Sequence, residues 1–88
     1  MLRITEYREE RNTLRLRLDG TISQTSFADL ENACSRHLSS REIIVLDMAG
    51  VVFMNNEVAS RIVRLRSEQL RIINCSPFIE TLLNTVAA

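Results

Sequence analysis

The stretch VLDMAGVVFMNNEVASRIV, residues 45–63, contains the end of a strand, a turn and the start of a helix. The strand begins upstream, because EIIVLDM (42–48) is a nearly continuous apolar run of the kind found in the central strands of parallel sheets. In the part that follows, EVASRIVRLRSEQ, apolar side chains recur at helical spacing and predict a helix of about three turns. Strand-to-helix junctions often hold the functional residues of α/β proteins, so Asn55, Asn56 and Glu57 form the first candidate site.

The N-terminal part of the chain predicts an antiparallel pair of strands. Residues 2–7 indicate a short strand and residues 9–12 a polar turn. In TLRLRLDG (13–20), Leu and Arg alternate strictly, which is the period of a half-buried strand, and Asp19-Gly20 should end it. We therefore expect a hairpin at one edge of the sheet, with one of its faces in water.

The segment SQTSFADLENACSRHL, residues 23–38, predicts the first helix, since its apolar residues fall on one face. Thr25 or Ser26 is expected to cap the N-terminus of this helix. Asp29 or Glu31 suits its first turn, where the helix dipole favours a negative charge.

The C-terminal part predicts a strand over residues 70–74 and then a helix, with Ser76 as its cap and Pro77 at its first position. Residues 1–88 thus predict a single α/β domain in the order β-β-α-β-α-β-α. Its sheet should be mainly parallel, with an antiparallel hairpin at the N-terminal edge and helices packed on it. The apolar face of the last helix should contain Phe78, Leu82, Leu83 and Val86. The residues expected in the core include Phe27, Leu30, Ile44, Val45, Phe53, Ile62, Ile72 and Leu82.

The composition disfavours several classes of function. The 88 residues carry 11 basic and 11 acidic side chains, and the zero net charge indicates no nucleic-acid partner. We find neither a signal-peptide pattern nor an apolar stretch near the ~18 residues of a membrane span, so we expect a soluble, cytoplasmic protein. Cys34, Cys75 and the single His37 form no metal-binding or redox pattern, and no Gly-rich phosphate loop follows any strand. We therefore expect unpaired thiols, no metal, no cofactor and no catalysis.

The segments LRLRLDGTIS, IIVLDMAGVVFMN and RIINCSPFIETLL, which lie within residues 14–86, together resemble the STAS domain. The family name joins sulfate transporters and anti-sigma factor antagonists. In the middle segment, family members have an apolar strand, Asp-Leu/Met, two residues, Val, one residue, Phe, an apolar residue and Asp-Ser-Ser-Gly. In this sequence Asp47-Met48, Val51 and Phe53-Met54 fit that pattern. The resemblance implies that the second Ser of this motif opens a helix and is phosphorylated by a partner kinase that is also the anti-sigma factor. It also implies that Asp47 ties down a nearby loop rather than acting in catalysis.

The sequence departs from the family pattern at the functional position. Asn55 stands where the motif has Asp, Asn56 stands at the first Ser, and Glu57 stands at the phosphoacceptor. Val58 replaces the Gly of the motif, and Ser23 lies where many members have an Asp. The helix that follows is also shorter than is usual in the family, by about one turn. The resemblance therefore implies the fold of the family without its phosphorylation switch.

Glu57 has three interpretations. It can simply start a helix, because an acid in the first turn is favoured by the macrodipole by ~0.3–1 kcal/mol and Asn55 or Asn56 is a good N-cap. It can contact a partner. It can also act as a permanent mimic of the phosphorylated state, although a phosphoserine carries about −1.5 to −2 charge and has three acceptor oxygens.

From the resemblance we expect a non-enzymatic regulatory module, similar to an anti-sigma factor antagonist but without the phosphorylatable Ser. Its partner would be an anti-sigma factor, a sensor kinase or an ATPase subunit, and a homodimer is left open. The alternative is an accessory subunit of a bacterial ABC-type lipid transport complex. No nucleic acid and no membrane insertion are expected. The residues expected to bind the partner are Ser23, Asn55, Asn56, Glu57, Arg61 and Arg64.

Overall fold

The computed structural model describes residues 1–87, which form one four-stranded sheet and three helices. The strands lie in the order β1-β2-β3-β4; β1 is antiparallel to β2, and β2, β3 and β4 are parallel. This arrangement confirms the α/β fold predicted from the sequence. The elements are β1 (Leu2–Glu10), β2 (Thr13–Ile22), α1 (Gln24–Leu38), β3 (Ile43–Met54), α2 (Asn56–Leu65), β4 (Leu70–Ile73) and α3 (Pro77–Ala87).

The core lies between the sheet and the helices. The alternating leucines of β2 are buried beside the buried residues of β3, as Leu16 paired with Leu46 illustrates, and all three helices cover them from the same side. Each helix follows one of the parallel strands, which places α2 between α1 and α3. The helices contribute to the core Phe27, Leu30, Ala33 and Cys34 of α1, Val58, Ala59 and Ile62 of α2, and Ile79 and Leu83 of α3.

Four of the eight residues predicted for the core are buried, and two aromatic predictions are wrong. Phe53 and Phe78 are half-exposed. α3 instead turns Ile79 inward, together with Leu83 one turn later. Among the other predicted core residues, Phe27, Leu30, Ile44 and Ile62 are buried, while Val45, Ile72 and Leu82 are half-buried.

The strands run further than the sequence pattern indicates. β1 continues to Glu10, so the turn consists of two residues rather than four. β2 does not end at Asp19-Gly20 but passes through them, since Gly20 adopts φ +104. A side chain there would overlap the carbonyl oxygen of Met1, so only glycine allows the strand to continue. β3 likewise runs to Met54 and not to Met48.

Helix α1 begins earlier than predicted, because the chain enters it directly from β2. Ser23, not Thr25 or Ser26, is the N-cap; its hydroxyl accepts from the Ser26 N–H, and the Ser26 hydroxyl accepts from the Ser23 N–H. No acidic residue lies in the first turn, so the prediction for Asp29 and Glu31 is wrong. At 15 residues α1 is the longest helix, and no helix within residues 1–87 is long and apolar enough to cross a membrane.

Candidate functional site

Three helix N-termini meet at one edge of the sheet. Since α1, α2 and α3 follow the parallel strands β2, β3 and β4, each helix starts at the carboxyl edge of the sheet. Ser23 caps α1 and Asn55 caps α2. At the start of α3 the Ser76 hydroxyl accepts from the Ile79 N–H at 3.3 Å, as predicted for a Ser cap followed by Pro. This edge therefore gathers residues that are far apart in the sequence.

The start of α2 is formed as the sequence predicts. Asn55 has extended backbone angles, and its Oδ1 accepts from the Val58 N–H at 2.9 Å. Asn56 is the first helical residue and is exposed. Glu57 lies in the first turn with 57% of its side chain exposed, which confirms its predicted position.

The carboxylate of Glu57 joins two helices. It accepts a hydrogen bond from the side-chain amide of Gln24 on α1, and its other oxygen lies 3.5 Å from Nη2 of Arg61, one turn further along α2. The guanidinium of Arg61 in turn stacks over the ring of Phe27, 5.9 Å from its centroid. Gln24 is a site residue that sequence reasoning missed, because its contact with Glu57 depends on how α1 and α2 pack.

The structure brings together most, but not all, of the predicted partner-binding residues. Ser23 lies beside Gln24, although its hydroxyl is already engaged at 2.9 Å with that of Ser26. Arg64 lies in the last turn of α2, seven residues after Glu57, and the helical rise puts about 10 Å between them. Arg64 is exposed, so it flanks the site without belonging to its centre.

An aromatic pair lies at the same edge, toward α3. The rings of Phe53 and Phe78 are stacked, with centroids 6.0 Å apart and planes 16° from parallel. Phe53 is 50% exposed, Phe78 is 51% exposed and the neighbouring Val52 is 72% exposed. We name these three residues the aromatic patch. The sequence pattern assigned both aromatic rings to the core, so nothing in it indicated an exposed cluster.

Asp47 is buried below this edge, with 3% of the residue exposed. Its carboxylate accepts from Arg15 Nη1 at 2.8 Å, from the Ala49 N–H at 3.0 Å and from Asn74 Nδ2 at 3.1 Å. Burial alone would raise the pKa of Asp47, but the bonds from Ala49, Asn74 and Arg15 outweigh it and hold the pKa below its usual range. Because Asn74 is the residue after β4, with φ 59, Asp47 fixes the loop that leads to α3, as the resemblance implies.

The single histidine lies at the opposite edge of the sheet. His37, near the end of α1, contacts Glu42 through Nδ1 at 2.9 Å and Glu6 through Nε2 at 3.1 Å. Arg8 also binds Glu42, and together with His37 it lowers the pKa of the Glu42 carboxyl. These contacts tie β1 to α1 and to the start of β3, which is a structural role.

The two cysteines are both free thiols in different surroundings. Cys34 is fully buried in the core, and burial, with a smaller contribution from Glu31, raises its pKa to about 11. Cys75 is half-buried and lines a half-open cleft of about 320 Å³ between β4 and α3, together with Arg66 and Glu80. Glu57 is not among the residues that line this cleft. In the part of the chain that the structure describes, no group of three or more His, Cys, Asp or Glu side chains is placed to hold a metal ion.

Comparison with known proteins gives a family and shows a likeness to solved structures. The sequence model of the STAS domain family matches residues 5–87. Among curated proteins, no sequence matches the chain. A solved structure described as "Crystal Structure Analysis of Mglu" superposes with a TM-score of 0.58 at 21% identity, over 77% of this chain and 18% of that one. At this identity the likeness concerns the fold alone, and this chain spans about 18% of the length of the protein that it matches.

Proposed function

This chain belongs to the STAS domain family, and on that ground we propose that it is a non-enzymatic regulatory module, similar to an anti-sigma factor antagonist, that binds a protein partner in the cytoplasm. The binding surface lies at the carboxyl edge of the sheet, centred on the start of α2. It consists of Ser23, Asn55, Asn56, Glu57, Arg61 and Arg64, with Gln24 added by the structure.

The proposal rests on Glu57, whose exposed carboxylate lies in the first turn of α2. The resemblance to the family places the phosphoserine of the motif at this position. A phosphoserine carries about −1.5 to −2 charge, whereas Glu carries −1 and cannot be added or removed. The contacts with Gln24 and Arg61 hold this charge in one place. A partner that binds at this position therefore contacts a permanent negative charge, not one that phosphorylation adds and dephosphorylation removes.

The surrounding side chains suit binding better than catalysis. The Asn55 amide and the Ser23 hydroxyl are engaged as helix caps, and Arg61 is paired with Glu57. The buried acid Asp47 accepts from three donors that hold its pKa below the usual range, so it stays ionised, which suits a structural role better than that of a general acid.

The test compares Glu57→Ala with Glu68→Ala, an exposed acid beyond the end of α2. A pull-down with the tagged wild-type protein identifies the partner by mass spectrometry, and titration calorimetry then gives the affinity for each variant. We expect Glu57→Ala to change the affinity more than tenfold while costing no more than ~1 kcal/mol of stability, because its charge is exposed. Glu68→Ala should change neither. Equal affinities for the wild type and Glu57→Ala would contradict the proposal.

A second role is favoured by the same fixed charge. A constitutive contact needs no phosphoacceptor, so the chain also suits an accessory subunit that holds the ATPase of a bacterial ABC-type lipid transport complex. The identity of the captured partner separates the two roles: a kinase-like anti-sigma factor supports the first, and an ABC ATPase supports the second.

A further inference from the structure

We propose that the aromatic patch, Val52, Phe53 and Phe78, is the apolar centre of the partner interface, and that its occupant is an aliphatic or aromatic side chain of a different protein rather than a second copy of this chain. This inference deepens the proposed function and rests on it. It adds an apolar contact on the α3 side of α2 to the charged contact at Glu57 on the α1 side.

The backbone of β3 holds the patch outward. On β2, Gly20 pairs with Val51 and Thr21 pairs with Phe53, so Val52 is the extra residue of a β-bulge. The bulge breaks the alternation of buried and exposed residues and leaves two neighbouring apolar side chains in water. Bulges of this kind often re-aim side chains at functional edges.

Beside the patch, β3 is not paired with β4. β4 pairs with β3 only as far as Asp47, while β3 continues to Met54. The part of β3 after Asp47 therefore pairs only with β2. Phe78 stacks on Phe53 without burying it. The two rings thus present a preformed apolar surface whose side chains need little ordering when a partner binds.

The size of the patch argues against self-association. At roughly 150–200 Å² for each whole side chain, the exposed fractions of the three residues amount to about 300 Å². This is typical of the largest apolar patch on a monomer, which is often functional. Permanent homodimers bury roughly 2,000 Å² or more in total, whereas transient contacts between different proteins can bury less than about 1,200 Å², so a patch of this size better fits the centre of a transient contact with a different protein.

The charge of Glu57 defines the partner further. The Glu57 carboxylate uses one oxygen for Gln24 and the other for Arg61, and its remaining lone pairs are exposed to solvent. This carboxylate contacts α1 through Gln24, whereas the aromatic patch extends to α3 through Phe78. The fitting partner surface therefore carries an apolar side chain for the two rings and, toward α1, a basic or amide donor for Glu57.

The first experiment places the photo-crosslinker p-benzoylphenylalanine at three exposed positions of the full chain: at Val52 in the patch, at Gln24 on the charged side, and at Arg11 in the β1–β2 turn as a control. The variants are irradiated in the cells that naturally contain the protein, and adducts are identified by mass spectrometry. We expect positions 52 and 24 to give an adduct with the same second protein, and position 11 to give none.

The other outcomes are distinguishable. An adduct from position 24 but not from position 52 would overturn the inference and leave the proposed function standing. Loss of adducts at both positions would overturn both. An adduct between two copies of this chain at position 52 would show the patch to be a self-association surface.

The second experiment measures the affinity of the identified partner for Phe78→Ser and for the control Tyr7→Ser, which removes another partly exposed aromatic ring, on β1. Central aromatic contacts dominate interface energies, so Phe78→Ser should weaken binding by roughly thirtyfold. Tyr7→Ser should leave affinity within about twofold. Circular dichroism melting checks that both variants are folded, and an unchanged affinity for folded Phe78→Ser would overturn the proposal.

Discussion

Replacing the buried Asp47 by Ala should destabilise the protein strongly, more than replacing an exposed residue of a strand would. Asp47 is buried and accepts hydrogen bonds from Arg15, the Ala49 N–H and the Asn74 amide. The substitution removes the shared acceptor and leaves at least two donors without a partner beneath the loop that leads to α3. Each hydrogen bond to a charged group contributes about 1.5–3 kcal/mol, and the contributions are not additive.

We expect Asp47→Ala to lower the free energy of unfolding by about 3 to 4 kcal/mol. For a domain of this size the loss corresponds to a fall in Tm of roughly 15 to 20 °C. Urea unfolding followed by circular dichroism measures it, with Asp29→Ala, an exposed acid on α1, as the control. A loss below about 1 kcal/mol for Asp47→Ala would show that the carboxylate does not hold the loop.

The pH dependence of the same difference is a further check. The pKa of Asp47 is lower in the folded protein than in the unfolded chain, so its contribution is complete above the unfolded value of about 3.9. The contribution is lost as the pH falls through the lower, folded pKa. The gap in stability between the wild type and Asp47→Ala should therefore be constant from about pH 5 to 8 and should narrow below about pH 4. A gap that widens in acid would contradict this assignment.

Three other predictions follow from burial and capping. Asn55→Ala removes the cap of α2 and should cost about 1 kcal/mol in urea unfolding, whereas Asn55→Ser should restore most of it; a cost near zero would contradict the capping geometry. Ile79→Ala should cost about 2–5 kcal/mol and Phe78→Ala less than about 1, since only Ile79 is buried; the reverse order would show that α3 presents its other face. Cys34 should react with a thiol reagent only after unfolding, because it is buried and its pKa is raised to about 11, while Cys75 reacts in the folded protein; equal rates would be inconsistent with the structure.

The fold was predictable because its signals are local. Three local patterns of the sequence correspond to elements of the structure: the alternating leucines of residues 14–18, the apolar run 42–48 and the helix start at Ser76-Pro77. The strand ends were not predictable in the same way. Gly20 looks like a turn residue, yet it carries β2 onward because it packs against the backbone of Met1.

The site was predictable only in part. Asn55 and Glu57 were identified because capping and the helix dipole act within a few residues. The contact of Glu57 with Gln24 joins residues 33 positions apart and depends on how the helices pack. The exposure of Phe53 depends on a β-bulge, which shifts the alternation of buried and exposed side chains. No residue type in the sequence indicates this bulge.

The most direct test of the account is an NMR titration of the ¹⁵N-labelled protein with its identified partner. We predict that the largest changes in amide chemical shift fall at the carboxyl edge of the sheet, at Ser23 and Gln24, at Asn55 to Glu57, and around Phe53 and Phe78. Changes concentrated instead at the opposite edge, around His37 and Glu42, would contradict the account, because the partner would then bind where this chain has only structural contacts.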